Sequence, residues 1–575
     1  MSRSRPRLVQ RPVPSGARLP SALHPVLRRV YAARNILDAQ ALDYRIRGLL
    51  APDRLGGTAA GAELIRRHMA DGHILVVGDF DADGATATAL TVSVLRAMGA
   101  ASVDYLVPNR FEYGYGLTPE IVALARERDP QLIITVDNGI SSHAGVAAAR
   151  EAGIDVLVTD HHLQGESLPD ANVVINPNLA REDFPSPHLA GVGVAFYALL
   201  ALRARLREEG WFSRTGLAEP NLAEWLDLVA LGTVADLVPL DRNNRLLVHQ
   251  GVQRIRADRA RPGIRALIEL AGKERESITA RDLGFALAPR LNAAGRLDDM
   301  SHGIETLLAT DRDRAREGAR VLDEMNDRRR HLQADMEADA EAAIAGLRLD
   351  TSGPLPHGLC LHDGRWHEGI VGLVASRIRE RVHRPVVAFA RAGSGGLKGS
   401  ARSIPGLHIR DVLAAMDTRQ PGLLGRFGGH AMAAGMSLEA ERLPAFREAF
   451  DREVARAAGP EAFEEVIETD GTLAPEEISL ELAEQLRDAG PWGQGFPEPV
   501  FEGEFRVLEA RIVGERHLKL RVQHPDAAAP IDAICFNAEQ TLEAGARVRL
   551  VYRLEVNDYR GLRRPQLVVR WFESL

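Results

Sequence analysis

The sequence predicts an α/β protein: a mostly parallel sheet domain, a long helix leading to a second α/β domain, and a closing OB-type β-barrel. Three observations carry that prediction. Between Ile74 and Ile175, short apolar runs alternate with helical segments, the βαβ succession of a parallel sheet covered by helices. From about Asp311 to Gly346 the chain is dense in Arg, Asp, Glu and Ala. Its apolar positions there are sparse (Val321, Leu322, Met325, Leu332), as in a solvated helix bridging domains. Beyond about Phe496, five short strands follow one another with few helices between them, the pattern of a small barrel.

Composition sets the outer bounds. A chain of 575 residues is too long for one core. The expected division is a basic arm and lead-in over 1–45, a catalytic sheet domain over 46–305, a connecting helix over 306–346, a second α/β domain over 347–460, and a linker with the barrel over 461–575. No apolar run approaches the ~20 residues that span a bilayer, so no membrane partner is expected. Cys360 and Cys535 lie far apart without metal-ligand spacing, which argues against a disulfide scaffold or thiolate zinc site and fits a reducing cytoplasm. A net charge of −8 neither demands nor forbids a nucleic-acid partner, since a phosphodiester enzyme needs only a local basic groove. The arm, with Arg3, Arg5, Arg7, Arg11 and Arg18 ahead of any acid, is expected to be mobile.

In chain order, Ile74–Val77 reads as a buried strand, followed by Asp79, Asp81 and Asp83 at alternate positions and a small-residue helix from Ala85 to Met98. If Asp81 and Asp83 stay extended, they share one side of the chain and repel. A hard divalent cation relieves that repulsion, whereas helix capping accounts for one Asp only. Val103–Val107 is a strand, and Thr118-Pro119-Glu120 starts a helix with a capping hydroxyl and a proline at its first position. Leu132–Val136 ends in Asp137, and Asp155–Thr159 ends in Asp160-His161-His162. The carboxyl ends of parallel strands lie on one edge, where open α/β sheets bind ligands, so these residues are expected to meet.

Gly191–Leu206 and Leu222–Ala235 are helical, the second ending in Asp236, which reads either as an ordinary C-terminal acid or as one more metal carboxylate. Gly284–Asp298 has no clean period and reads as a small-residue turn flanked by Arg290 and Arg296. Exposed, those arginines suit phosphate; buried, they need acid partners. In the second α/β domain, the glycine-rich Gly393–Gly399 opens into Ser400-Ala401-Arg402-Ser403, and Gly428-Gly429-His430 precedes a run of small residues. That composition suits an anion nest for phosphate. Arg553, Tyr559, Arg560, Arg563 and Arg564 supply cations and an aromatic to the barrel, as in single-strand binders.

Several carboxylates with one or two histidines and no thiolate suit Mn²⁺ or Mg²⁺. With Asp137 as a bridge, two ions about 3.5–4 Å apart suit in-line displacement at phosphorus, activating water and stabilising the charge that develops. His161 is the better ligand, leaving His162 for a phosphate oxygen or the leaving group. The residues therefore point to metal-dependent phosphoester hydrolysis, without naming the substrate.

Asp79-Phe80-Asp81-Ala82-Asp83-Gly84, Val136-Asp137-Asn138-Gly139, Asp160-His161-His162 and Gly232-Thr233-Val234-Ala235-Asp236 resemble the successive motifs of the DHH phosphoesterase superfamily. Pro108-Asn109-Arg110-Phe111, Pro289–Arg296 and Gly428–Gly435 are similar to its bacterial branch of single-strand-specific 5′→3′ DNA exonucleases, and the likeness runs from about Leu27 to the C-terminus. The resemblance implies Asp81, Asp83, Asp137, His161 and Asp236 as ligands of two Mn²⁺ or Mg²⁺ ions, Asp79 near the first ion, and His162 facing the scissile phosphate. It implies strand contacts from Arg110, Asn292 and Arg296, and a hold on phosphate near the 5′ end from Ser400, Arg402, Ser403 and His430. It further implies single-stranded DNA as the partner in repair and recombination, supplied by a helicase and a single-strand-binding protein, with the enzyme a monomer. Ala401 and Phe496 depart from the commoner glycine and asparagine, away from the metal set. Two rival readings are a DHH phosphodiesterase for oligonucleotides or cyclic dinucleotides, and a non-catalytic replication scaffold. The barrel speaks against the first and the intact carboxylates against the second.

Overall fold

Five short strands form one parallel sheet, and the three inner ones are buried on both faces. Ile74 and Val76 face one apolar cluster while Leu75 and Val77 face another. The sheet order is Ser102–Leu106, His73–Gly78, Leu132–Val136, Asp155–Thr159, Val173–Ile175, all parallel. Sequence order reverses between His73–Gly78 and Leu132–Val136, which makes that crevice the topological switch point of a doubly wound fold. The computed structural model describes residues 6–108, 115–345, 355–393, 395–514, 516–538, 540–559 and 561–575. They form two units, each discontinuous in sequence. The larger comprises Pro12–Asp327 and Asp470–Leu575; the smaller comprises the residues up to Arg11 and Arg328–Thr469.

In the larger unit the helix that follows His73–Gly78 begins at Ala82, three residues earlier than its composition suggests. Asp81 is its N-cap, accepting from Gly84 N (2.9 Å), and Asn292 Oδ1 accepts from Ala82 N (2.8 Å). Asp83 therefore sits in the first helical turn, and the three acids are not an extended comb. The helix runs to Ala97 and is buried on almost every side. Its threonines remain tolerable there because Thr86 and Thr88 donate back to the Asp83 and Gly84 carbonyls.

Gly284–Asp298 is also regular rather than a turn: a π-helical stretch over Leu283–Leu287 continues as an α-helix over Ala288–Leu297. Its small residues serve close packing, since a Cβ on Gly295 would lie 1.8 Å from the Phe80 carbonyl oxygen. The barrel closes in the order Phe501–Val513, His517–Gln523, Ile531–Cys535, Leu562–Ser574, Arg547–Tyr559, so it leaves no free sheet edge. It is not a tethered module. Its Phe505, Val507, Leu550 and Leu567 belong to the same apolar cluster as the sheet domain, and Arg281 bonds Glu555 at 2.7 Å. Among the described residues no helix is long and apolar enough to cross a membrane.

The smaller unit is built on a mixed sheet in the order Phe427–Gly429, Ala433–Leu438, Leu397–Arg402, Val386–Arg391, Leu359–His362. Alternation along Val386–Arg391 sends Val387 and Phe389 into one apolar cluster and Val386, Ala388 and Ala390 into another, so the sheet is covered on both faces. Ala340 and Ile344, near the end of the long Arg312–Ala345 helix, enter the second cluster. The basic arm is not wholly mobile: Arg7–Gln10 is a strand paired in parallel with Val466–Thr469, because its backbone finds partners there.

Candidate metal centre

The switch-point crevice collects the carboxylates. Asp79 directly follows His73–Gly78 and is 5% exposed, its Oδ1 accepting from Phe80 N (2.8 Å). Asp137 follows Leu132–Val136 in a left-handed conformation (φ 62°) and is 2% exposed. Asn138 ties the two strands together, its Nδ2 donating to the Val77 and Val136 carbonyls. Asp83 is fixed by the N-terminus of the Gly191–Glu208 helix, where Gly191 N donates to Oδ2 (2.6 Å) and Val192 N to Oδ1 (2.9 Å). A Cβ on Gly191 would lie 2.4 Å from Asp137 Cβ, so one glycine seats both acids.

After Asp155–Thr159, Asp160 orients the two histidines that follow it. Its Oδ1 accepts from His161 N (2.7 Å) and lies 2.8 Å from His162 Nδ1, while Oδ2 accepts from Ile140 N (2.8 Å). His161 Nε2 then lies 3.1 Å from Asp137 Oδ1 and 3.5 Å from Asp236 Oδ2, with Asp236 closing the Leu226–Ala235 helix. Three trios have ligand atoms within 4.8 Å of one another: Asp79, Asp81 and Asp137; Asp83, His161 and Asp236; and Asp137, His161 and His162.

A divalent cation fits this donor set on two grounds. Asp137 Oδ1 and His161 Nε2 are buried without a hydrogen bond, although buried polar atoms ordinarily have a partner. The donors are also all oxygen and imidazole nitrogen, which suits a hard ion. The electrostatics agree. Burial, with the charge of Asp81 next, pushes Asp79 and Asp236 up to about 7. Burial and neighbouring carboxylates hold Asp83 and Asp137 well above the usual range. Such crowding disfavours the carboxylate form unless a cation compensates it. Burial, followed by the charge of His162, lowers His161 to about 4, keeping the ring in the neutral form that ligates. Burial alone would also lower His162, but the hydrogen bond and charge of Asp160 outweigh it and raise the group to about 9.

Of the other expected site residues, Asn292 anchors the start of the Ala82–Ala97 helix, and Arg296 on the same helix as Asn292 is exposed. Its neighbour Arg290 is half-buried and pairs with Asp323 at 2.8 Å. Arg110 lies outside the described residues. In the smaller unit, Ser400 and Arg402 share one face of a strand, with Arg402 Nη1 donating to Ser400 Oγ (2.8 Å). Gly372, in the first turn of the Val371–Val382 helix, abuts both: a Cβ there would lie 2.8 Å from Arg402 Nη2 and 3.3 Å from Ser400 Oγ. Ser403 does not join them. It is fully buried and its hydroxyl donates to the Leu407 carbonyl, so it shapes the following loop. His430 is exposed.

Sequence reasoning placed Asp160 at the site without giving it a role, and did not place Tyr115 there. The Tyr115 hydroxyl donates to the Asp137 carbonyl (3.2 Å) and lies 3.3 Å from His162 Nδ1. An acid immediately before paired histidines was a usable signal for Asp160; nothing local marked Tyr115.

Three family models match the chain in order: the DHH family N-terminal domain over residues 73–233, the DHHA1 domain over 357–456, and the RecJ OB domain over 469–570. The single-stranded-DNA-specific exonuclease RecJ of Dickeya dadantii is 55% identical over 555 residues, covering 96% of both chains. The chain belongs to the RecJ family. Among solved RecJ structures, that of Thermus thermophilus in complex with Mn²⁺ superposes with a TM-score of 0.75 at 30% identity, covering 99% of this chain and 79% of that one. The Mg²⁺ complex of the same RecJ gives 0.68 at 28% identity, covering 98% and 78%. The order of domains expected from the sequence is thus the RecJ order, with the barrel of OB type.

Proposed function

We propose that this RecJ-family chain is an exonuclease that hydrolyses single-stranded DNA from its 5′ end, using two Mn²⁺ or Mg²⁺ ions. The observation that carries the reading is the pair of unbonded, buried ligand atoms, Asp137 Oδ1 and His161 Nε2, inside a ring of carboxylates at the switch point. Asp79, Asp81 and Asp137 would hold one ion, and Asp83, His161 and Asp236 the other. When bound, the ions lower the pKa of an attacking water and offset charge on the phosphoryl oxygens. The chain's own residues do the rest. Gly191 N and Val192 N fix both oxygens of Asp83, so this ligand needs little reorganisation. Asp160 keeps His162 protonated with Nδ1 committed, which leaves the Nε2 proton to be offered to an oxygen of the scissile phosphate. Arg296 is available to the strand backbone.

In the smaller unit, the Arg402 guanidinium, the Ser400 hydroxyl and the start of the Val371–Val382 helix form a phosphate site, read as taking the 5′ phosphate. Arg402→Gln is expected to raise KM about tenfold for 5′-phosphorylated strands and to leave KM for 5′-hydroxyl strands unchanged. Steady-state kinetics on the two substrates check this.

Two buried cysteines, Cys360 and Cys535, far apart in the sequence and without metal-ligand spacing, support a reducing cytoplasm. An enzyme that consumes single strands needs an unwinding activity to supply them, which is the case for a helicase partner and a single-strand-binding protein. A complete ligand set within one chain supports a monomer. The deciding experiment digests 5′- and 3′-labelled single strands and duplex with Mn²⁺, Mg²⁺ or EDTA. Mononucleotides released first from the 5′ end of single strands, and none in EDTA, are expected. Activity confined to di- and trinucleotides would instead favour the small-substrate phosphodiesterase.

A further inference from the structure

The turn after Asp236 is held from a distant part of the chain. Leu237 adopts φ 59°, which disfavours a leucine, and its side chain is 69% exposed, so it packs too little to impose that conformation. The restraint comes from the far end of the turn. Leu240 N donates to the Gln494 carbonyl (2.7 Å), and Arg245 Nη1 donates to the Leu240 carbonyl (2.8 Å). Asn244 Nδ2 adds a bond to the Pro239 carbonyl (3.0 Å). Gly493 and Gly495 let the incoming segment approach: a Cβ on Gly493 would sit 2.7 Å from Leu240 Cδ1, and one on Gly495 3.3 Å from Pro239 Cβ.

Arg245 is the unusual member. It is 6% exposed, and among the described residues it forms no ion pair. Burying a guanidinium without a counter-ion is costly, and simple packing would be served better by an apolar side chain. Its bonds instead join three separate parts of the larger unit. Nε donates to the Tyr44 hydroxyl (3.1 Å), Nη1 reaches the turn, and the guanidinium lies 4.4 Å from the centre of the Phe496 ring. Phe496 stacks on Trp492 at 5.0 Å, and Trp492 carries Arg34 over its ring at 5.3 Å, with Arg34 held in turn by Asp470. A continuous series of contacts thus runs from the segment that precedes the barrel to the turn that carries Asp236.

We infer that Arg245 and Phe496 are positioning residues for Asp236, through which the segment before the barrel sets the affinity of one of the two ions. The inference rests on the reading of Asp236 as a ligand. The test is a direct Mn²⁺ titration of the full chain, following free Mn²⁺ by electron paramagnetic resonance, with circular dichroism and melting recorded alongside. Wild type is expected to bind two ions, and Asp236→Asn to lose one. Arg245→Met, which keeps the aliphatic stem but removes every bond, is expected to bind both, with one site weakened about tenfold and the other unchanged. Should Arg245→Met fail to fold, Phe496→Leu is expected to weaken the same site by a smaller factor, since it removes the ring against which the guanidinium lies and spares its hydrogen bonds. Unchanged affinities, or equal weakening at both sites, would overturn the inference while leaving Asp236 a ligand. An Asp236→Asn protein that still binds two ions with wild-type affinity would overturn the ligand reading itself, and the inference with it.

Discussion

Asp137→Asn is expected to abolish nuclease activity, with a loss of at least about a thousandfold, and to leave the fold intact. The substitution is close to isosteric, and asparagine tolerates the left-handed backbone that Asp137 adopts at φ 62°. Gly191, seated against the Asp137 side chain, therefore keeps its place. What is lost is the charge at the centre of the cluster, the group within ligand distance of Asp79 and Asp81 on one side and of His161 and His162 on the other. Without an ion the variant should melt no lower than wild type at pH 8.5, because a buried carboxylate held far above its usual range is replaced by a group that never ionises. Exonuclease assays on 5′-labelled strands and thermal melts check both halves. A variant retaining a tenth of wild-type activity would remove Asp137 from the metal set.

Metal-free protein is expected to be less stable at pH 8.5 than at pH 6.5, and Mn²⁺ should narrow that difference. Asp79 and Asp236 titrate near 7 in the fold but near about 3.9 when unfolded. Between those values the folded state holds more protons, so stability falls as pH rises through 7. His162 acts in the same direction, raised from its ordinary range to about 9. His161, lowered to about 4, acts in the opposite direction, because at pH 6.5 the unfolded ring is about half protonated and the folded ring is neutral, but it is one group against three. Each ion at one hundred times its Kd contributes about 2.7 kcal/mol. Because binding needs deprotonated carboxylates, the Mn²⁺-induced rise in melting temperature should be larger at pH 8.5. Melts in EDTA and in Mn²⁺ at the two pH values settle it; a rise that is equal or smaller at pH 8.5 would refute the linkage.

The sheet and the convergence of Asp79, Asp137, Asp160 and His161 were legible because strand ends in a parallel sheet share an edge, a rule that needs no side-chain coordinates. Asp236 came from a helix end and was ambiguous, since C-terminal acids have no single meaning. The Ala82 helix start was missed because it depends on Asn292, some two hundred residues away, accepting from Ala82 N. The Ala288–Leu297 helix was missed for a related reason. Its alanines and glycine respond to the closeness of the Phe80 carbonyl rather than to any amphipathic period. Tyr115 and Arg245 act through bonds to distant backbone carbonyls, and sequence spacing carries no trace of those.

The pairing of Arg7–Gln10 with Val466–Thr469 bears on how the chain is made. A ribosome adding about 5–20 residues per second needs roughly half a minute to a minute and a half between emitting the one strand and emitting its mate. The larger unit is interrupted in the same way, with Arg34 waiting for Asp470. The larger unit must wait for Leu562–Ser574 to close its barrel, and neither unit can finish folding before Asp470 is about to emerge. Until then, the Arg7–Gln10 strand is an unpaired edge that other proteins must leave alone.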